Sequence, residues 1–185
     1  ISQLRGKRIN LGLPGSASRE TALAVLAAHA LQPQDLAETT SLDLQAALTA
    51  LRDGKIDGLI QVIGLPADAI RAASEDMDLR LLPLQAQAVE QLVKDRPGSF
   101  PFSIAAGSYP QQSQAVATLA VSSLLLSDAS LASKEVEMLV RLIFEPKLGW
   151  VQMGSIQGAQ ISPDNALHSY GLPLHDGVTA AFEKP

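Results

Sequence analysis

The sequence contains no cysteine, which excludes structural disulfides, thiolate metal sites and a cysteine nucleophile. The absence is neutral about compartment, because a reducing cytosol and a thiol-poor periplasm both fit it. Aromatic residues make up only 4% of the chain, so its core must be built from small and branched aliphatic side chains; a composition dominated by Ala and Leu favours α/β over an all-β sandwich. No Lys/Arg run is present and the formal net charge is −5. Nucleic acid and anionic membrane surfaces both need a basic patch, so no nucleic-acid partner is expected. The sequence shows neither a signal peptide nor an apolar run long enough to span a bilayer. The longest such run, 115–126, is interrupted by Thr118, Ser122 and Ser123. The chain opens on Ile1 rather than Met and reads as a processed product or an excised piece.

Several signatures of chemistry are missing as well. The loop at 12–19, GLPGSASR, lacks the Gly-Lys-Ser/Thr ending of a phosphate-binding Walker loop and fits neither GxGxxG nor GxSxG. His29, His168 and His175 lie far apart, and none has a metal-ligand spacing such as HExxH. Asp53, Asp57, Glu75, Asp76 and Asp78 fall at helix ends and solvated turns and form no evident acid and base pair. No cofactor or metal is expected, and an enzyme is the weaker hypothesis. No internal repeat or low-complexity tract occurs.

What is present is alternation. In a chain of 185 residues, 46% of them hydrophobic, there is material for one or two compact cores. Residues 8–13 (RINLGL) read as a strand that ends at Pro14-Gly15, and 19–31 as an Ala/Leu helix. Residues 43–52 place Leu44, Ala47, Leu48 and Leu51 on one helical face before Asp53-Gly54; 56–63 is a nearly continuous apolar strand, and 67–74 a helix. Strand 79–84, helix 86–95 and strand 100–105 follow. This predicts a mainly parallel sheet with helices on both faces, a three-layer α/β lobe. Past Tyr109-Pro110 the character changes, to one long strand over 115–126 and an amphipathic helix over 131–144. That helix has a stripe of Val136, Leu139, Val140, Ile143 and Phe144. The change near 110 marks a candidate hinge.

The Pro-Gly turn followed by Ser16, Ala17, Ser18 and a helix presents free backbone N–H groups at a helix N-terminus, where the helix dipole favours an anion. Ser16 and Ser18 add hydroxyls, and Arg19 could offer a guanidinium to a carboxylate. Helix capping by Ser16 or Ser18 is the alternative and is compatible with an anion site. Two other strand ends should rim the same edge, at Gly64-Leu65-Pro66 and Ala106-Gly107-Ser108-Tyr109, although ordinary turn chemistry also accounts for both. His29 reads as a helix-surface residue, and His175-Asp176 as a structural turn.

The run LRGKRINLGLPGSASR resembles the start of the second lobe in the TAXI family of TRAP transporter solute-binding proteins, which read L-x-G-K-R-V-N-x-G-x-x-G-S-G-T-R there. The similarity continues in order through DGKIDG, VIGLP, RLLPL, AAGSYP, VATLAV and PLHDG, nearly the whole chain. It implies a type II periplasmic-binding fold: two α/β lobes around a cleft that clamps a small organic anion such as an amino acid or dicarboxylate, whose closure would be read by TRAP permease membrane subunits. By the same resemblance Gly15, Ser16, Ala17 and Ser18 face the ligand, with Gly64 and Pro66 close by and Tyr109 near the hinge. Ala17 stands where the family has glycine, and its methyl group opposes close backbone approach.

The resemblance further implies that 1–110 is the second lobe and 111–185 a returning segment of an incomplete first lobe. Apolar faces at 115–126 and 131–144 would then lack cover, leaving self-association as an expectation. The compartment implied is the periplasm. Two other readings stay open: a ligand-sensing module of a membrane or signalling protein, and an enzyme with Ser16 as nucleophile and His175 as base.

Overall fold

The computed structural model describes residues 1–145, 149–151, 153 and 156–183. It divides into two compact units, Ile1–Val121 and Ser122–Pro185.

In the first unit, β1 (Arg8–Asn10) lies between β2 (Glu38–Thr40) and β3 (Gly58–Leu59), all parallel, in the order β2-β1-β3. Helix α1 (Ala17–Ala28) connects β1 to β2, and α2 (Leu44–Arg52) connects β2 to β3. Successive side chains on a strand face opposite ways, so the register assigns each helix its face. Ile9 and Leu11 pack with Ala22 and Leu26 of α1. Leu59, in register with Asn10 on the other face, packs with Ala47 and Ala50 of α2. The two helices therefore cover opposite faces of the sheet, which makes three layers. The core is most complete around Ile9, Leu11 and Leu26.

The remainder of the unit is α3 (Asp68–Asp76), α4 (Ala86–Asp95) and an antiparallel pair, β4 (Ser99–Ile104) with β5 (Val116–Val121). The expected parallel membership of 100–105 is thus replaced by a hairpin. Its tip closes where Gly107 N–H donates to Gln112 O (2.8 Å) and Gln112 N–H to Tyr109 O (3.2 Å).

Other expectations are corrected in detail. The first strand stops at Asn10 because the chain turns at Gly12 (φ +87°). The third keeps only Gly58–Leu59 as strand. Residues 79–84 form no strand and meet β5 through one backbone bond, Leu84 N–H to Ala117 O (3.0 Å). Strand β2 was not foreseen. Its sequence, Glu-Thr-Thr, has no apolar residue, because β2 is a mostly exposed edge strand. The long strand expected over 115–126 ends at Val121, with Leu125 and Leu126 standing 77% and 72% exposed.

His29 is buried, not a surface residue. Its Nδ1–H donates to Val25 O (2.7 Å), and its Nε2 accepts from the N–H of Gln85, the N-cap of α4 (3.3 Å). The ring thereby joins the end of α1 to the start of α4.

In the second unit, α5 (Ser133–Ile143) packs on α7 (Asp176–Phe182) through Val136, Val140 and Ala181, with Phe144 and Phe182 edge to face at 5.2 Å. A one-turn α6 (Pro163–Ala166) lies between them in sequence. Leu139, expected on the packed stripe of α5, is exposed, because the face toward α7 is centred on Val136 and Val140. Gly177 is required at this contact, since a Cβ there would collide with the Ser133 carbonyl and press on Val136.

Candidate functional site

Parallel strands end on one edge, and ligands of open α/β sheets bind beyond those carboxyl ends, where successive connections leave in opposite directions. The order β2-β1-β3 places that switch between β1 and β3, and the N-terminus of α1 sits there. Gly12 makes the approach possible: its φ of +87° suits glycine, and a Cβ would stand 3.0 Å from that of Ser18. Pro14 and Gly15 form an exposed turn.

Each hydroxyl at the helix start has a defined task. Ser16 is the N-cap: its Oγ accepts from Arg19 N–H (3.2 Å) and donates to Leu13 O (2.7 Å). Ser18 is 7% exposed. Its Oγ accepts from Gln61 Nε2 (2.9 Å) and Val62 N–H (3.1 Å), both just past β3. Gln61 Nε2 also donates to Val62 O (3.1 Å), which fixes the sense of the amide. With two donors directed at its oxygen, the Ser18 hydroxyl has only its own proton left to offer.

Arg19 reaches the other way. Its Nη1 donates to Ser41 Oγ (3.0 Å), past β2, and to Gly12 O (3.4 Å), past β1. The first turn of α1 is therefore bonded to all three strand ends. Both chain neighbours of Ser41, Thr40 and Leu42, are bonded to Asn10, which is fully buried. Asn10 Oδ1 accepts from Thr40 Oγ1 (3.0 Å) and Leu42 N–H (2.8 Å), and Nδ2 donates to Leu42 O (3.2 Å).

Among the described residues no carboxylate pairs with Arg19, and the N–H groups of Ala17 and Ser18 have no acceptor. A guanidinium and the positive end of a 12-residue helix thus converge on one sheet edge; Glu20, in the same turn, forms no ion pair with Arg19. The opposite edge is neutralised. There Arg8 grips Asp57 with Nε (3.1 Å), Nη2 (2.7 Å) and its backbone N–H (2.8 Å), and the guanidinium and that N–H hold the Asp57 carboxyl well below the usual carboxylate range.

The remaining expected site residues form a second group. Gly64 is exposed on the segment after β3, Leu65-Pro66 is a cis peptide, and Tyr109 is buried with its hydroxyl accepting from Ala67 N–H (3.0 Å), the N-cap of α3. Tyr109 is therefore joined to the 64–67 segment, whereas residues 16–19 are joined to 12, 41, 61 and 62. Asn10, Ser41 and Gln61 were not anticipated. For Asn10 and Gln61 a signal was available, since each is an uncharged polar residue between two apolar neighbours in a strand run.

In the second unit both nitrogens of His175 are engaged. Nε2–H donates to Leu131 O (3.1 Å), and Nδ1 accepts from Gly177 N–H (3.1 Å), capping α7. The structural-turn reading of this residue agrees with that geometry.

Among the described residues no group of His, Asp and Glu is placed to hold a metal ion, and no helix is long and apolar enough to cross a membrane. Residues 1–184 match the NMT1-like family, which is related to the periplasmic binding proteins and has in general a substrate-binding role, typically outside the cytoplasm; the chain belongs to this family.

Proposed function

We propose that the protein is an extracytoplasmic solute-binding protein that captures a small organic anion, such as an amino acid or dicarboxylate, in the periplasm and delivers it to the membrane subunits of a TRAP-type secondary transporter. The observation that carries the reading is the first turn of α1, where Arg19 and the N–H groups of Ala17 and Ser18 share one sheet edge and, among the described residues, no carboxylate, that of Glu20 included, forms an ion pair with Arg19. Hydrogen bonds from these groups would hold one carboxylate of the ligand, with the Ser18 proton as a further donor. Transporter type and ligand class follow from the TAXI resemblance of the GKRIN…GSASR run and the ordered motifs after it.

Binding without covalent chemistry is supported by Ser16, whose hydroxyl is committed to Leu13 O and Arg19 N–H as a cap. Ala17, where the TAXI pattern has glycine, begins the helix with its methyl exposed, and only its N–H need face the ligand.

The test is calorimetry of the protein with a panel of amino acids and dicarboxylates, repeated on Arg19→Ala. The expected result is at least one ligand whose affinity falls about tenfold or more in the variant, the scale of a lost charge-assisted hydrogen bond. Ligand binding unchanged in Arg19→Ala would overturn the site assignment.

A further inference from the structure

A second concave place in the first unit lies away from the α1 sheet edge. It is a cavity of 340 Å³ walled by α3 (Ile70 and Ser74), the irregular 79–83 segment and the hairpin tip around 109–116. None of the residues bonded around Arg19 lines it.

Its walls are fastened to one another. Tyr109 ties the hairpin tip to the start of α3, and the Leu84 to Ala117 backbone bond ties the third wall to β5. The tip is braced from within by Gln112, whose Nε2 donates to Ile104 O (3.3 Å) and Gln114 O (3.0 Å) while its Oε1 accepts from Tyr109 N–H (3.3 Å). A cavity held in this way needs little reordering to accept a ligand.

The lining chemistry is one-sided. Arg80 is the single charged lining residue, and no carboxylate pairs with it among the described residues. It stands exposed, as do Gln111 and Gln114, while Ile70, Leu81 and Val116 are half-buried in the walls. An amine would find no counter-ion here, and a dianion only one cation. A single carboxylate with a hydrocarbon body would find both of its needs met. The volume lies at the lower end of small-molecule pockets, about 300–1,000 Å³.

The geometry points to a second binding site, in which Arg80 holds the carboxylate of a small amphiphilic monocarboxylic acid whose hydrocarbon body lies between α3 and the hairpin tip. The inference is independent of the sheet-edge site.

Octanoate is the probe, titrated by calorimetry into the wild type and into Arg80→Gln, Ala115→Trp and Arg19→Ala, with octylamine and octanol as controls. Arg80 and Ala115 are exposed, so neither change empties the core, and thermal melts verify that each variant folds. The expected result is octanoate binding that weakens about tenfold in Arg80→Gln, disappears when the Trp fills the cavity, and is unchanged in Arg19→Ala, with octylamine and octanol much weaker. The site is overturned by absence of octanoate binding, by equal binding of octanol, by an unchanged affinity in Arg80→Gln or Ala115→Trp, or by loss in Arg19→Ala.

Discussion

The two units bury their apolar residues by different means. In Ile1–Val121 a parallel sheet carries helices on both faces, so a side chain such as Ile9, Leu11 or Leu26 has neighbours all around and is almost fully covered. In Ser122–Pro185 the core is a contact between two helices, α5 and α7, with Val136, Val140 and Ala181 at its centre. Most of the large apolar side chains left exposed among the described residues lie in this second unit, including Leu125, Leu126, Met138 and Leu142. A pair of short helices has one shared seam and cannot enclose a side chain on every side, whereas a covered sheet can. Stability should therefore be concentrated in the first unit, which also carries the α1 sheet edge and the Arg80 cavity.

The largest expected effect comes from breaking the better core. Leu26→Ala should cost about 3 kcal/mol, in the range for a buried leucine that leaves a cavity, read as a lower urea midpoint. An Asn10→Ala change should follow at about 2 kcal/mol, because it leaves Thr40 Oγ1 and the backbone of Leu42 without their buried partners. It should also weaken anion binding at Arg19 by loosening Ser41. An unaltered melting curve would contradict this account of Asn10.

Gly177→Ala tests the second unit alone. The added methyl meets the Ser133 carbonyl, so α7 must shift off α5 at a cost on the order of 2 kcal/mol. Hydrogen exchange should accelerate in α5 and remain unchanged in α1 and α2. Equal acceleration in all three helices would show that the two units unfold as one.

A smaller effect is electrostatic. Because Arg8 depresses the Asp57 pKa in the folded state, the unfolded chain binds more protons at acid pH, and stability falls as pH drops below about 4, the ordinary aspartate value. The contribution is fully present above that value. Asp57→Asn should lower the melting temperature by a few degrees at pH 7 and flatten its fall between about pH 4 and 2. The smallest effect is expected at Leu125, which is already exposed. Leu125→Ser should leave the melting temperature within a degree or so of wild type, as is usual for surface positions.

How much of this was legible beforehand differs by element. Helix α4 was readable to the residue and α2 to its cap, because Asp43 and the apolar spacing over 44–51 are local signals. Strand β2 was invisible, since an edge strand needs hydrogen bonds from a neighbour more than apolar side chains. Strand β4 looked like the end of one more parallel unit and β5 like a long strand past the candidate hinge, because the connection over 105–115 is not the two-residue turn that marks a hairpin. At the site, the Pro14-Gly15 turn and Arg19 in the first helical turn could be read directly, whereas the cap stayed open between Ser16 and Ser18 and the helix expected over 19–31 begins two residues earlier and ends at Ala28.

Local sequence thus settled the α/β class, the helix that begins after GLPG and the backbone N–H groups it exposes, since these depend on residues within a few positions of one another. The targets of the Ser18 and Arg19 side chains were decided by the sheet order β2-β1-β3. That order brings residues 41 and 61 to the end of β1, and with them come the partners that hold the Ser18 and Arg19 side chains at this sheet edge.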